Sequence, residues 1–498
     1  MLGKLCGVDG LSDYSSRSFH IYPPDAIMNR PEESPRKRLN IDIRFLALLA
    51  ICTTLAHPTL HGQINGEDAA PGMGLWKSKP DYPIPYGIPE SSDIEEKLKR
   101  IGDYIDQGCP IRWVDLDTGQ AITPGSTDVE NPGLEFGLFS LISYEWGVTY
   151  AGMLRVAEVT GDPFYKDYVR TRLETIEEIG NHYLARNPED RPRRYISKRL
   201  LEPHSLDHCG AMTAAMIKAK MASIGENFDS FILPSIEYIS EEQKRLDDGT
   251  LARDRPLPDS LWLDDLYMSI PALAQMGKMS GESKYFDDAC KQLIQMTQRM
   301  YVPEIGLYRH GWVKSMDPHP TLPWARANGW TIMAATELLS VLPPDHPDFE
   351  TIRSIYRQHI AGIVRHQGIN GFWHQLMDRP ETYAETSATA MFVFSIARGI
   401  NRGWLDAKAY GSAAILGWNA VSSQIDASGA VNGTCVGTGI GWEPAFYAYR
   451  PTSPYAAHGY GPVLLAGAEI LDLLKIETDK PNFHDGAVHF GETPDWGF

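Results

Sequence analysis

The chain has 498 residues, 43% of them hydrophobic, and a formal net charge of -18 at pH 7, with a pI near 5.3. That balance argues against a nucleic-acid binder, because phosphate neutralisation needs clustered lysines and arginines that are absent here. The hydrophobic fraction supports a large core, and the length suits either two or three average domains or one large helical ring or barrel.

In chain order, Arg36-Lys37-Arg38 and Arg44 precede an apolar run from Phe45 to Ala56. This is the pattern of a secretory signal peptide, too short to span a bilayer, and the alternative is a buried N-terminal helix. Residues 1–62 are therefore read as a leader cleaved between Ala56 and Gln63. The mature chain is expected to be exported to the periplasm or beyond, with no stable membrane insertion. Ile51 ahead of Cys52 argues against a lipoprotein anchor. Cys109, Cys209, Cys290 and Cys435 are scattered, which fits buried small hydrophobes better than a disulfide scaffold or a CxxC metal site.

Residues 63–92 are rich in Pro and Gly and read as an extended lead-in. From 93 to 498 the apolar spacing is helical, in segments near 94–106, 137–159, 163–179, 209–223, 229–245, 265–279, 284–300, 328–342, 348–365, 386–400, 405–423 and 460–474, with no run of strands between them. Thr160-Gly161-Asp162-Pro163 and Ser280-Gly281-Glu282-Ser283 repeat one device, a glycine that ends one helix and an acidic or proline-led start for the next. Helical hairpins of this length must stack to bury their apolar faces, and closing the stack removes its exposed ends. The expected fold is all-α, an (α/α)6 toroid forming the catalytic domain, with an open superhelix as the alternative.

The connections carry the chemistry. Trp262-Leu-Asp264-Asp265, Arg309-His310-Gly-Trp312 and Trp324-Ala-Arg326-Ala-Asn328-Gly-Trp330 set acids, a histidine and an arginine among indoles, which suits an acidic carbohydrate. Asp264 and Asp265 open a helix, where one acid can serve only as a cap, but Trp262 beside them would desolvate a general acid. Asp207 opens another helix and can complete a pair of acids. His204 and His208 stand four apart with no third ligand or HExxH pattern, so no metal is assigned. Arg326 is either a stacked structural residue or a carboxylate receptor. Trp146 is either core or a sugar platform. Gly433 to Gly439 has no nucleotide-loop ending and reads as a turn-rich loop lining the toroid's mouth.

The motifs Trp-x-Asp-x-Leu-x-Met at 262–268, His-Gly-Trp at 310–312, Trp-x-Arg-x-Asn-Gly-Trp at 324–330, Glu385-Thr-Ser-Ala388 and Cys435-Val-Gly-Thr438 resemble glycoside hydrolase family 105, the unsaturated rhamnogalacturonyl hydrolases. The resemblance covers roughly residues 135–475. It implies a helical toroid that acts on unsaturated uronyl-rhamnose oligosaccharides left by polysaccharide lyases, from rhamnogalacturonan or a related polymer such as ulvan. It further implies hydration of the C4=C5 bond, with Asp264 as proton donor and water activator, Asp207 as the assisting acid, and Trp146, His310, Arg326 and Trp330 holding the uronate. No metal or organic cofactor is implied. Ala325 and Ala327 stand where the family commonly has glycine, which bears on substrate choice.

Three alternatives belong beside this reading. They are an unsaturated glucuronyl hydrolase, a polysaccharide lyase on a similar toroid, and a sugar-binding toroid without turnover. The acidic balance speaks against the lyase, which needs a long basic cleft.

Overall fold

Twelve helices of nine residues or more form where the apolar periodicity places them in the computed structural model, which describes residues 82–492 apart from 85, 127–128, 193–194, 226–227 and 485. The leader and most of the lead-in lie outside the described residues. The helices are α1 Ser91–Gly108, α2 Tyr144–Thr160, α3 Pro163–Leu184, α4 Leu206–Met221, α5 Asp229–Glu237, α6 Ile270–Ser280, α7 Ser283–Met300, α8 Ala325–Leu339, α9 Phe349–Arg365, α10 Thr386–Asn401, α11 Ala407–Ser422 and α12 Tyr460–Leu473.

Their burial sorts them into two rings. On α1 only the stripe Ile94, Leu98, Ile101 and Ile105, with Gly102, is buried, whereas α8 is buried at every position from Ala325 to Leu339. A helix apolar on one stripe covers a core, and a helix buried all round lies inside it. Accordingly α2, α4, α6, α8, α10 and α12 pack each on the next, and α12 packs back on α2 to close the ring. Helices α3, α5, α7, α9 and α11 cover the inner helix that precedes each of them, and α1 covers α12. The sixth hairpin is thus completed by the first helix, and the architecture is the expected (α/α)6 toroid.

The repeated turn device works as its residues dictate. Gly161 (φ 73) and Gly281 (φ 76) take the left-handed conformation and donate their N–H groups to Ala157 and Gly277, and Asp162 caps α3 by accepting from Phe164 N.

Two expectations are corrected. The segment 265–279 is not one helix: a short turn, Asp264–Tyr267, ends before α6 begins at Ile270. Pro271 explains the break, since proline has no N–H to donate and is accepted only in a first turn. Short strands also occur among the described residues, as four antiparallel pairs: β1 Trp113–Asp115 with β2 Pro132–Leu134, β3 Ser260–Trp262 with β6 Gly311–Val313, β4 Tyr301–Val302 with β5 Leu307–Tyr308, and β7 Pro481–His484 with β8 Ala487–Phe490. At two to four residues they are too short to leave a period-two signal. The β3–β6 pair matters most, because its register sets Trp262 opposite Gly311. Leu263 N then donates to His310 O at 3.2 Å. No described helix is long and apolar enough to cross a membrane.

Candidate active site

Polar and charged residues gather at the N-terminal ends of the inner helices. Tyr144 and Glu145 begin α2, Asp207 lies in the first turn of α4, Asp264 and Asp265 form the turn before α6, and Arg326 is in the first turn of α8. Glu385 caps α10, and His458 stands just before α12. Helix N-termini carry partial positive charge, so this end of the ring favours an anionic ligand despite the acidic chain.

Two carboxylates are built differently. Asp207 accepts two parallel hydrogen bonds from Arg253, at 2.8 and 2.7 Å, and one from Arg255 at 2.9 Å. Burial pulls its carboxyl upward, yet the Arg253 fork and the charges of Arg253 and Arg255 hold it below the usual aspartate range. Arg253 also donates Nε to the fully buried Asp265 at 2.8 Å, so one guanidinium bridges two acids. Burial works against the charge of Arg253, and the two carboxylates outweigh it. Among the described residues Asp264 has no arginine partner; its Oδ2 lies 3.0 Å from His310 Nε2. His310 is fully buried, and its Nδ1 lies 2.7 Å from the hydroxyl of Tyr447.

Asp207 and Asp264 face one cavity of about 180 Å³, lined also by Tyr144, Arg253, Arg255, Trp262, Met268, Thr438 and Gly439. Thr438 and Gly439 belong to the glycine-rich loop expected at the toroid's mouth. Tyr144, Asp207, Arg253 and Arg255 also line a larger cavity of about 850 Å³, which includes Glu145, Arg199, His204, His208 and Lys244. Of the two arginines that bond Asp207, Arg253 is buried and Arg255 is exposed, with 61% of its side chain accessible. Trp262 packs near the guanidinium groups of Arg253 and Arg255, and its indole N–H donates to Arg255 O at 2.8 Å.

Of the residues expected from sequence, Asp264, Asp207 and His310 come together. Trp330 is buried, its ring 5.1 Å from that of Tyr267 and 6.3 Å from that of Tyr144. Arg326 is buried and does not line either cavity: it donates to Cys435 O at 2.6 Å and Val436 O at 2.7 Å, and its guanidinium lies over Trp324. Glu385 holds the same loop by accepting from Cys435 N at 2.8 Å. Together they clamp the strip that carries Thr438 and Gly439. Trp146 is core, fully buried and stacked on Phe139 at 4.9 Å, and does not line the cavity.

Sequence reasoning missed Tyr144, Arg253, Arg255 and Tyr447. Tyr144 hydrogen-bonds His458 at 2.7 Å, and burial together with Arg326 pushes the imidazole of His458 well below its usual range, so it stays neutral. The basic pair Arg253-Asp-Arg255 ahead of Trp262 was the available signal. His204 and His208 meet edge to face at 4.2 Å. Among the described residues the one grouping of metal-type ligands is Cys290, His346 and Asp348, which does not line either cavity. The four described cysteines are free and buried.

Comparison with known proteins agrees with this architecture. The family model described as Glycosyl Hydrolase Family 88 matches residues 127–474. The chain is 29% identical over 160 residues to the unsaturated rhamnogalacturonyl hydrolase YesR of Bacillus subtilis, covering 31% of this chain and 46% of that one. It is 30% identical over 216 residues to an unsaturated 3S-rhamnoglycuronyl hydrolase of an Alteromonas species, covering 42% and 51%. The matched part thus spans about half the length of these relatives. A crystal structure of a possible family 105 member from Salmonella enterica shares the fold, with a TM-score of 0.59 at 20% identity over 84% of this chain and 99% of the other. The motif resemblance to family 105 and the family match over more than half of the sequence agree, and the chain belongs to glycosyl hydrolase family 88.

Proposed function

We propose that the protein hydrolyses short oligosaccharides that begin with a C4=C5 unsaturated uronic acid, by adding water across that double bond. The observation that carries this reading is a small chamber faced by two carboxylates of unequal freedom. Asp207 is pinned as an anion by two arginines, while Asp264 is held only through His310. The names of the relatives, both hydrolases of unsaturated rhamno-uronyl substrates, support it.

Asp264 delivers its proton to C4 of the enol ether, and positive charge spreads over C5 and the ring oxygen. The fixed negative charge of Asp207 stabilises that charge, at no reorganisation cost because Arg253 already orients it. Asp264, now a carboxylate, takes a proton from a water that adds to C5. The resulting hemiketal opens to a ketone, and the hemiacetal left at C1 expels the next sugar. Arg255, exposed at the junction of the two cavities, is the candidate receptor for the uronate carboxylate, since Arg326 is buried and its Nη1 and Nη2 donate to the loop carbonyls of Cys435 and Val436. The larger cavity then receives the sugar that leaves.

The test is product analysis on an unsaturated uronyl-rhamnose disaccharide and on its saturated counterpart. The expected outcome is free rhamnose and a ring-opened keto acid from the first and nothing from the second. Equal cleavage of both would overturn the reading. We also propose export, on the leader pattern at Arg36 to Ala56; the measurement is the N-terminal sequence of the protein recovered outside the cytoplasm, and an intact leader on cytoplasmic protein would refute it.

A further inference from the structure

We propose that Tyr447 is a positioning residue for the reaction: by donating its phenolic proton to His310 Nδ1, it selects the histidine tautomer that presents an N–H to Asp264. The inference rests on the role given to Asp264 above, but the geometry behind it is independent of substrate.

The phenol oxygen of Tyr447 has two hydrogen-bond partners among the described residues, Gly441 N at 2.8 Å and His310 Nδ1 at 2.7 Å. Gly441 N–H can only donate, so it fills one lone pair of the phenol oxygen. Tyr447 is fully buried, and burial, opposed by the Gly441 hydrogen bond and aided by the nearby charge of Asp264, pushes its phenol up and keeps it protonated. Its single proton therefore points at the one acceptor within reach, His310 Nδ1. A neutral imidazole that accepts at Nδ1 carries its own proton at Nε2, and that nitrogen lies 3.0 Å from Asp264 Oδ2. The opposite tautomer would aim Nδ1–H at the phenol and strand the phenol's proton in the core, which costs a buried hydrogen bond.

The consequence for Asp264 is directional. Its Oδ2 is occupied by the histidine N–H, which leaves Oδ1 to carry the working proton toward the cavity. Tyr447 also ties Gly441 to His310 through its hydroxyl, and it packs with Trp324 and His310 at ring centroids 4.7 to 6.0 Å apart. A purely structural role would therefore be the competing account.

Nitrogen-15 NMR of histidine-labelled protein separates the two. The wild type is expected to show His310 as the Nε2–H tautomer, and Tyr447→Phe to show a mixture. In kinetics on the unsaturated disaccharide, Tyr447→Phe is expected to lower kcat on the order of tenfold with KM little changed. In a His310→Gln background the same substitution should cost nothing further, since its effect passes through the histidine. An Nδ1–H tautomer in the wild type, or full additivity of the two substitutions, would overturn the proposal. If no unsaturated disaccharide is turned over, the proposed function fails while the tautomer result still decides the role of Tyr447.

Discussion

Arg253 meets Asp207 through two parallel hydrogen bonds, Nη1 to Oδ2 at 2.8 Å and Nη2 to Oδ1 at 2.7 Å, and the same guanidinium reaches back to the buried Asp265. One side chain thereby fixes the electrostatics of α4 and of the turn before α6. Removing it leaves a buried acid without a counter-charge. Arg253→Met should destabilise the fold by about 3–5 kcal/mol, because breaking a buried pair costs more than the pair is worth. Calorimetry checks this, and a melting temperature within about 2 °C of wild type would contradict it.

Asp264→Asn keeps the shape of the side chain and an oxygen for His310 to bond, but it has no proton of the needed acidity. We expect kcat to fall by at least about a hundredfold while the unsaturated disaccharide binds within a few-fold of wild type. Calorimetric titration beside turnover measurement tests both halves. A near-normal rate in this variant would remove Asp264 from the chemistry.

For Arg326, the loop role and the substrate role predict different losses. If it clamps Cys435 and Val436, Arg326→Met should lower stability by about 2–3 kcal/mol and speed proteolysis between Gly433 and Gly439. Were it a carboxylate receptor, KM would rise at unchanged stability. Arg255→Gln is expected to show that second pattern.

His359 makes stability depend on pH. It is fully buried, hydrogen-bonded to Asn328 at 3.1 Å, and burial lowers its pKa to about 3. Unfolded histidine titrates near ~6.5, so between those values the unfolded chain takes up a proton that the folded chain refuses. The associated stability is present above about pH 6.5 and is lost as pH falls toward 3, by up to ~1.4 kcal/mol per unit. His359→Gln should flatten that part of the profile in chemical denaturation between roughly pH 6 and 4. An unchanged slope would show that other groups set it. Asn328 also holds Tyr308 through two hydrogen bonds, so acid should loosen the segment that leads to His310.

The fold was legible because each layer writes itself into the sequence: outer helices such as α1 show one apolar stripe, and inner helices such as α8 and α10 are mostly apolar or small, with few charged residues. The break at Met268–Ser269 was not, since Leu266, Ile270 and Leu273 keep helical spacing straight across it and only Pro271 marks it. Asp207, Asp264 and His310 announced themselves by sitting beside aromatic residues and helix starts. Arg253, Arg255 and Tyr447 did not, because they lie in or beside irregular connections where no periodicity says which way a side chain points. Arg326 illustrates the limit most sharply. Its indole neighbours were visible, but the carbonyls that engage it lie more than a hundred residues away.

The most direct single measurement is the ultraviolet absorbance of the conjugated enoate when the purified chain is mixed with an unsaturated uronyl-rhamnose disaccharide. Hydration of C4=C5 predicts that absorbance falls in step with rhamnose release. Rhamnose appearing while the enoate signal persists would mean attack at the anomeric carbon, and a signal that rises from intact polymer would mean a lyase; either result contradicts the account.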